Sequence, residues 1–350
     1  MVLPLSQPLP AILVISPAWV GDMVMAQSLF KIIKQKQPAI HIDVLATHWS
    51  EGLFRRMPEV RHHIAHSLKH GQLVWKARQQ LGYQLRQFHY QQAIVLPNSW
   101  KSALIPFWAQ IPQRTGYLGE MRYGLLNDVR PLNKLVLQQT VTQFTALGLS
   151  LTDPKWGQWA PYPQLSPGQV DYVLQRLQLK RPAQPLLVLC PGAEYGSAKR
   201  WPLEYYAVVA KRQIAQGWQV WIMGSPQEGS IGARIQALSG DKCINLCGQT
   251  SLADVIDLLS LVQAVVTNDS GLMHIAAALD KPLVALYGSS SPGKTPPLSS
   301  KAQVLYLGLP CSPCFQRHCP KKHLQCLRDI KPELVLYKLK NLNENKPVRF

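Results

Sequence analysis

Short apolar runs alternate with longer amphipathic stretches over most of the chain, a pattern that predicts strands and helices around parallel sheets. Residues 11–16 (AILVIS) read as the first strand, 22–35 as its helix and 40–46 as the next strand. Residues 93–97 (AIVLP) predict another strand, leading into a helix over 99–108. The alternation stops over 151–168, a stretch rich in Pro, Trp and Gly that reads as a linker. It then resumes, with strands predicted at 186–190, 219–223, 264–267 and 283–287. Helices are predicted over 203–216, 228–237, 252–261 and 271–279, and a last one over 332–342. The expected class is α/β, with two doubly wound halves and a ligand cleft between them at the carboxyl ends of the strands.

The length of 350 residues suits two domains of ordinary size, divided here as 1–165 and 166–350. A composition of 47% hydrophobic residues excludes a disordered chain, a collagen or a disulfide miniprotein. The charge is lopsided: 37 Lys and Arg against 19 Asp and Glu give +18. Such a surface attracts polyanions, whether nucleic acid, an anionic membrane face or phosphorylated small molecules. Residues 1–21 carry no charge, but no Lys or Arg precedes Lys31, as a signal peptide would require. Pro4, Pro8, Pro10 and Pro17 would break a spanning helix, so a soluble, cytoplasmic chain is expected.

Four loops carry candidate chemistry. Gly288 to Thr295 fits the phosphate-loop pattern G-x-x-x-x-G-K-[ST], yet Pro296 and Pro297 follow at once and deny the helix whose N–H groups would face the phosphates. A turn is expected there. In the loop after the first strand, Asp22 is either a helix cap or a carboxylate held as general base, and the position favours the base. Pro191 to Pro202 offers small residues that let backbone approach a ligand, with Lys199 and Arg200 as charges, a sensible diphosphate cradle. Asn268-Asp269-Ser270-Gly271-Leu272-Met273-His274 lies where a strand meets a helix, a ready anion site.

Taken in order, these motifs resemble the heptosyltransferases of the lipopolysaccharide core, the family that uses ADP-heptose, and the first half resembles the type II members more than type I. The resemblance also rests on Leu96-Pro-Asn-Ser99 with Lys101-Ser102, on Arg114-Thr-Gly116, and on the stretch from Gly119 to Arg130. It implies a GT-B fold, two Rossmann-like domains with the acceptor on the first and ADP-heptose on the second. Asp22 matches the catalytic carboxylate, and Lys199 matches the lysine at the donor phosphates. Asp269, Ser270, Gly271, Leu272 and His274 match the donor loop, and Glu228 resembles a carboxylate near the adenosine. Lys101, Arg114 and Arg122 are the candidates for the acceptor, heptosyl-Kdo-lipid A, which is multiply anionic and sits on the inner membrane. The implied reaction moves L-glycero-D-manno-heptose to the first core heptose with inversion.

No cofactor is expected for that reaction. The eleven Asp residues include no Asp-x-Asp pair, so Lys199 and a helix N-terminus would neutralise the departing diphosphate. Cys311-x-x-Cys314, with Cys319 and Cys326 and interleaved His318 and His323, is the candidate for a structural metal, with free thiols or a disulfide as alternatives. Cys190, Cys243 and Cys247 read as core residues. The rival acceptor is that of another sugar transferase of the same family. A nucleic-acid-binding protein ranks below both, because Lys and Arg are scattered through both halves without a recognised binding motif.

Overall fold

The computed structural model describes residues 10–68, 71–158 and 160–343, so Pro4 and Pro8 lie outside the described residues. The chain divides into two compact units, Met1–Pro161 and Tyr162–Phe350. The division falls inside the Pro-rich stretch 151–168, whose described residues form neither helix nor strand.

The first unit holds strands β1 (Ala11–Ile15), β2 (His41–Thr47), β3 (Val60–His66), β4 (Gln92–Val95), β5 (Gln113–Tyr117) and β6 (Asp128–Arg130). Its helices are α1 (Val20–Lys36), α2 (Glu51–Phe54), α3 (Trp75–Leu85), α4 (Trp100–Trp108) and α5 (Thr140–Leu147). The strands are all parallel, in the order β3-β2-β1-β4-β5-β6. β1 is apolar and buried at every position, as a central strand covered on both faces must be.

The second unit begins with α6 (Val170–Arg176), β7 (Leu186–Cys190), α7 (Leu203–Ala215), β8 (Gln219–Ile222), α8 (Gly229–Leu238) and β9 (Ile244–Asn245). There follow α9 (Leu252–Leu259), β10 (Ala264–Asn268), α10 (Gly271–Ala278), β11 (Leu283–Tyr287), β12 (Ala302–Tyr306), α11 (Gln325–Arg328) and α12 (Pro332–Asn343). Its parallel order, β12-β11-β10-β7-β8-β9, repeats the first sheet's order counted within the unit. Both orders reverse between the first and fourth strands of the unit, the switch point where loops diverge and leave a crevice at the carboxyl ends. In the first unit that point lies between β1 and β4; in the second, between β7 and β10.

A buried ion pair stitches the first sheet. Asp43 on β2 is fully buried and takes two hydrogen bonds from Arg61 on β3, at 2.9 and 2.6 Å, and one from Tyr90 Oη at 2.7 Å. Burial alone would raise its pKa, but the Arg61 and Tyr90 hydrogen bonds outweigh burial and hold it below the usual carboxylate value. Among the described residues, no helix is long and apolar enough to cross a membrane.

Candidate functional site

In the second unit every candidate residue emerges from the carboxyl ends of four neighbouring strands. The loop after β7 carries Gly192 and, on a single turn of 3-10 helix, Lys199. The loop after β8 carries Glu228, that after β10 carries Asp269 and Ser270 and runs into α10 with Gly271, Leu272 and His274, and that after β11 carries Ser289 and Ser290. The sequence alone placed these on separate loops; the sheet order makes the loops neighbours.

Lys199 Nζ donates to Asp269 Oδ2 at 2.6 Å and lies over the Tyr195 ring at 5.2 Å. Asp269 is only 5% exposed, so its charge is compensated chiefly by this lysine. The pairing fixes the direction of Nζ and leaves its other N–H groups for an anion. Ser270 is the N-cap residue of α10 and makes no side-chain cap, so the first N–H groups of that helix get no bond from it. Asn268, which the sequence reading did not assign, braces both loops. Its Nδ2 donates to the Pro191 and Gly192 carbonyls at 2.6 and 3.3 Å, and its Oδ1 accepts from the Trp201 N–H at 3.0 Å and Tyr206 Oη at 3.1 Å.

Glu228 is buried and accepts from the Ser225 N–H at 2.7 Å, closing a capping box. The sequence Ser225-Pro-Gln-Glu228 is the signature of that device. A Cβ at Gly192 would lie 2.0 Å from the Glu228 carboxyl carbon, so only glycine lets the post-β7 loop pass this carboxylate. Ser289 and Ser290 hydroxyls, at the end of β11, are buried without a hydrogen-bond partner. Gly288 to Thr295 forms a turn with no helix at Lys294, as Pro296 and Pro297 require.

His274, on α10, is buried, and burial pushes its pKa down to about 4, against a smaller opposing pull from Asp269. The folded state therefore holds a neutral imidazole, while the unfolded chain protonates near 6.5. Unfolded chains thus bind the proton first, and stability is lost as pH falls from about 6.5 towards 4. His66 on β3 is likewise pushed down to about 4, chiefly by burial, and acts with the same sign. Urea unfolding at several pH values should show stability falling by up to roughly 3 kcal/mol per histidine in that window. His274→Gln should flatten the slope. A second decline, from Asp43, belongs below its unfolded value near 3.8.

In the first unit, β1 leads into α1, whose N-cap is Trp19 and whose third residue is Asp22. Asp22 is therefore not the cap residue; it sits half-buried in the first turn, at the β1/β4 switch point. The post-β4 loop carries Asn98 and Ser99 and reaches Lys101, half-buried, as the second residue of α4.

The two arginines are engaged by groups of their own unit. Arg122 is 1% exposed, donating through Nη1 to the Pro97 carbonyl at 2.6 Å and through Nη2 to Asn98 Oδ1 and the Tyr117 carbonyl. Burial lowers its pKa to about 10. It ties the post-β4 loop to the end of β5, and solvent cannot reach it. Arg114 is the second residue of β5, at the end remote from the switch-point loops. It is spent on the Ile111 and Leu125 carbonyls, both at 2.7 Å, and stacks over Phe107. Arg122 is a brace, because a buried guanidinium must satisfy its donors where it stands, and half-buried Arg114 spends its donors on nearby carbonyls.

The cysteine-rich segment lies against the loop after β11. Cys311, Cys314, Cys319 and Cys326 line one void of about 20 Å³ with Ser289 and His323. All are free thiols, and among the described residues no three His, Cys, Asp or Glu side chains are grouped to hold a metal. The segment's visible work is bracing. Phe315 N–H donates to the Ser289 carbonyl at 2.7 Å, and Ala198 N–H to the Arg317 carbonyl at 3.0 Å. Tyr195 Oη bonds the Phe315 carbonyl at 2.7 Å, so the segment clamps the post-β7 and post-β11 loops together. Cys190, Cys243 and Cys247 are buried in the core.

Residues 78–325 match the profile of glycosyltransferase family 9 (heptosyltransferase). The chain is 45% identical over 341 residues to lipopolysaccharide heptosyltransferase 2 of Escherichia coli K12, covering 95% of this chain and 98% of that one. It is 46% identical over 341 residues to the Salmonella typhimurium protein of the same name, again covering 95% and 98%. A solved structure of the E. coli ADP-heptose lipopolysaccharide heptosyltransferase II superposes with a TM-score of 0.85 at 42% identity. It covers 96% of this chain and 99% of that one. The paired Rossmann-like units are thus of the GT-B class, and the chain is a member of glycosyltransferase family 9, the heptosyltransferases.

Proposed function

We propose that this enzyme transfers L-glycero-D-manno-heptose from ADP-heptose to the first heptose of the lipopolysaccharide inner core, inverting the anomeric carbon. The observation that carries the reading is full-length similarity to heptosyltransferase 2 proteins, joined to a charged cradle at the β7/β10 switch point. Residues 1–165 carry the acceptor and 166–350 the donor. The acceptor hydroxyl attacks the anomeric carbon as Asp22 takes its proton; the new C–O bond forms while the bond to the diphosphate oxygen breaks. ADP departs with its charge met by Lys199 and the N–H groups at Gly271 and Leu272. Asp269 orients Lys199, His274 packs neutral behind the loop, and Glu228 shapes the passage at Gly192 on the adenosine side. Lys101 is the direct acceptor contact, and Arg122 positions its loop.

No metal takes part in this scheme, because the sequence lacks Asp-x-Asp and supplies Lys199 instead. Transfer should persist in excess chelator, with melting temperature followed in parallel; full dependence on added magnesium sinks the metal-free scheme. Transfer to heptosyl-Kdo-lipid A but not to Kdo-lipid A is expected. The reverse preference would assign the enzyme to the type I acceptor. The acceptor places the enzyme in the cytoplasm at the inner face of the inner membrane, held peripherally by its basic surface.

A further inference from the structure

The sixty residues from Val60 to Gly119 contain no Asp or Glu and seven Lys or Arg. They include α3 and α4, and these helices expose more apolar surface than solubility explains. Leu73, Val74 and Trp75 stand in a row at 38%, 43% and 47% exposure, where the chain enters α3. Val74 has φ of +41°, a left-handed turn that a β-branched residue adopts only at a cost, and it points three successive apolar side chains outward. The Trp75 ring lies 6.5 Å from that of Trp100 and 4.8 Å from that of Trp108. Phe107 is exposed on the same helix.

Each aromatic has a cation beside it. Lys76 follows Trp75 and Lys101 follows Trp100. Arg86 Nε donates to the Trp108 carbonyl at 2.9 Å, and the Arg114 guanidinium covers Phe107 at 5.6 Å. Apolar rings interleaved with Lys and Arg suit the boundary between anionic headgroups and acyl chains, and the one carboxylate bonded here, Glu120, is engaged by the Trp100 N–H at 2.9 Å. There the ring enters the apolar layer and the cation stays among the phosphates. A protein partner would need acids of its own to match exposed Lys76 and Arg86 and half-buried Lys101, whereas an anionic bilayer offers them everywhere. A second copy is disfavoured, because it would set two basic patches face to face.

We infer that the α3–α4 face is a docking surface for an anionic lipid bilayer, with Leu73, Val74 and Trp75 as the inserting turn. The inference rests on the heptosyltransferase reading, since a lipid acceptor is what makes the location useful. Trp100 opens α4 directly after the loop at the carboxyl end of β4, beside the strand that leads to Asp22. Docking there brings the acceptor-binding edge of the first unit to the membrane that holds the acceptor. Attachment is therefore partly apolar, and salt alone will not release it fully, because screening weakens the charges but not the inserted rings.

The test uses the full chain, vesicles of phosphatidylcholine alone, and vesicles with about a third phosphatidylglycerol. Flotation should show binding to the anionic vesicles only, and bromine-labelled acyl chains should quench tryptophan emission. The variant Leu73→Ser/Val74→Ser/Trp75→Ser should bind anionic vesicles about tenfold or more weaker, because three partly buried apolar side chains are removed. Its affinity for ADP-heptose and its transfer to a deacylated, water-soluble acceptor should match the parent, with only a modest drop in melting temperature from the lost Trp75–Trp108 packing. Equal vesicle binding by variant and parent, equal binding to neutral vesicles, or emission untouched by bromine overturns the inference. So does a dimer in sedimentation that the variant abolishes, which would make the face a copy-to-copy interface. Failure of transfer to the soluble acceptor by the parent itself, with docking intact, would count against the heptosyltransferase reading instead.

Discussion

Asp22→Asn is expected to keep the melting temperature and ADP-heptose affinity near those of the parent while turnover falls by about 10²–10⁴-fold. The side chain stays the same size, and Trp19 rather than Asp22 occupies the N-cap of α1, so the helix start is not at stake. What the substitution does remove is a negative charge in the first turn, worth roughly 0.3–1 kcal/mol against the helix dipole. That predicts a small drop in melting temperature, the same whether or not the carboxylate does chemistry. Turnover separates the two roles. A base that accepts the acceptor proton cannot be replaced by a neutral amide, and the loss falls on kcat with KM for the donor little changed. Both measurements belong on one preparation. A variant that transfers heptose near the parent rate removes Asp22 from the mechanism and leaves it a helix-start residue.

The strands that position this chemistry were legible because they are central. Leu186–Cys190 and Leu283–Tyr287 are unbroken apolar runs, buried at every position, and the sequence bounds them to the residue. Edge strands lack that signal. Val60–His66 (VRHHIAH) is mostly histidine and arginine on its outer face, and β6 and β9 have only three and two residues. Helix α3 escaped for another reason. It packs on α4 through Gly82, where a Cβ would stand 2.7 Å from that of Trp108, so its contact face shows no apolar stripe.

The site was legible in the same uneven way. Lys199 and Asp269 announce themselves as charges in small-residue loops, but 70 positions separate them, and only the adjacency of β7 and β10 makes them a pair. Arg114 and Arg122 illustrate the converse. A basic residue in a matching motif has no direction in sequence, and here both guanidiniums turn inward to backbone carbonyls. Asn268 was invisible as a brace because its role exists only once Pro191, Trp201 and Tyr206 surround it.

Lys199→Ala should weaken ADP and ADP-heptose alike, by about 1.5–3 kcal/mol, or roughly 10- to 150-fold in Kd, the cost of a charge-assisted phosphate contact. Adenosine, which lacks the diphosphate, should show little change. The pairing with Asp269 makes the single variant ambiguous, since truncating the lysine leaves a carboxylate 5% exposed and unneutralised beside the diphosphate. Part of the loss would then be repulsion from Asp269 rather than absence of Lys199. The double variant Lys199→Ala/Asp269→Ala resolves this, because residues in direct contact are not expected to be additive. If Asp269 serves to orient the lysine, the double variant should bind ADP at least as well as Lys199→Ala. If Asp269 instead holds the donor directly, its removal should add a further loss, and calorimetry on the three variants reads the difference. An additive result assigns Asp269 its own contact with the nucleotide and makes the 2.6 Å ion pair a resting arrangement that the donor breaks.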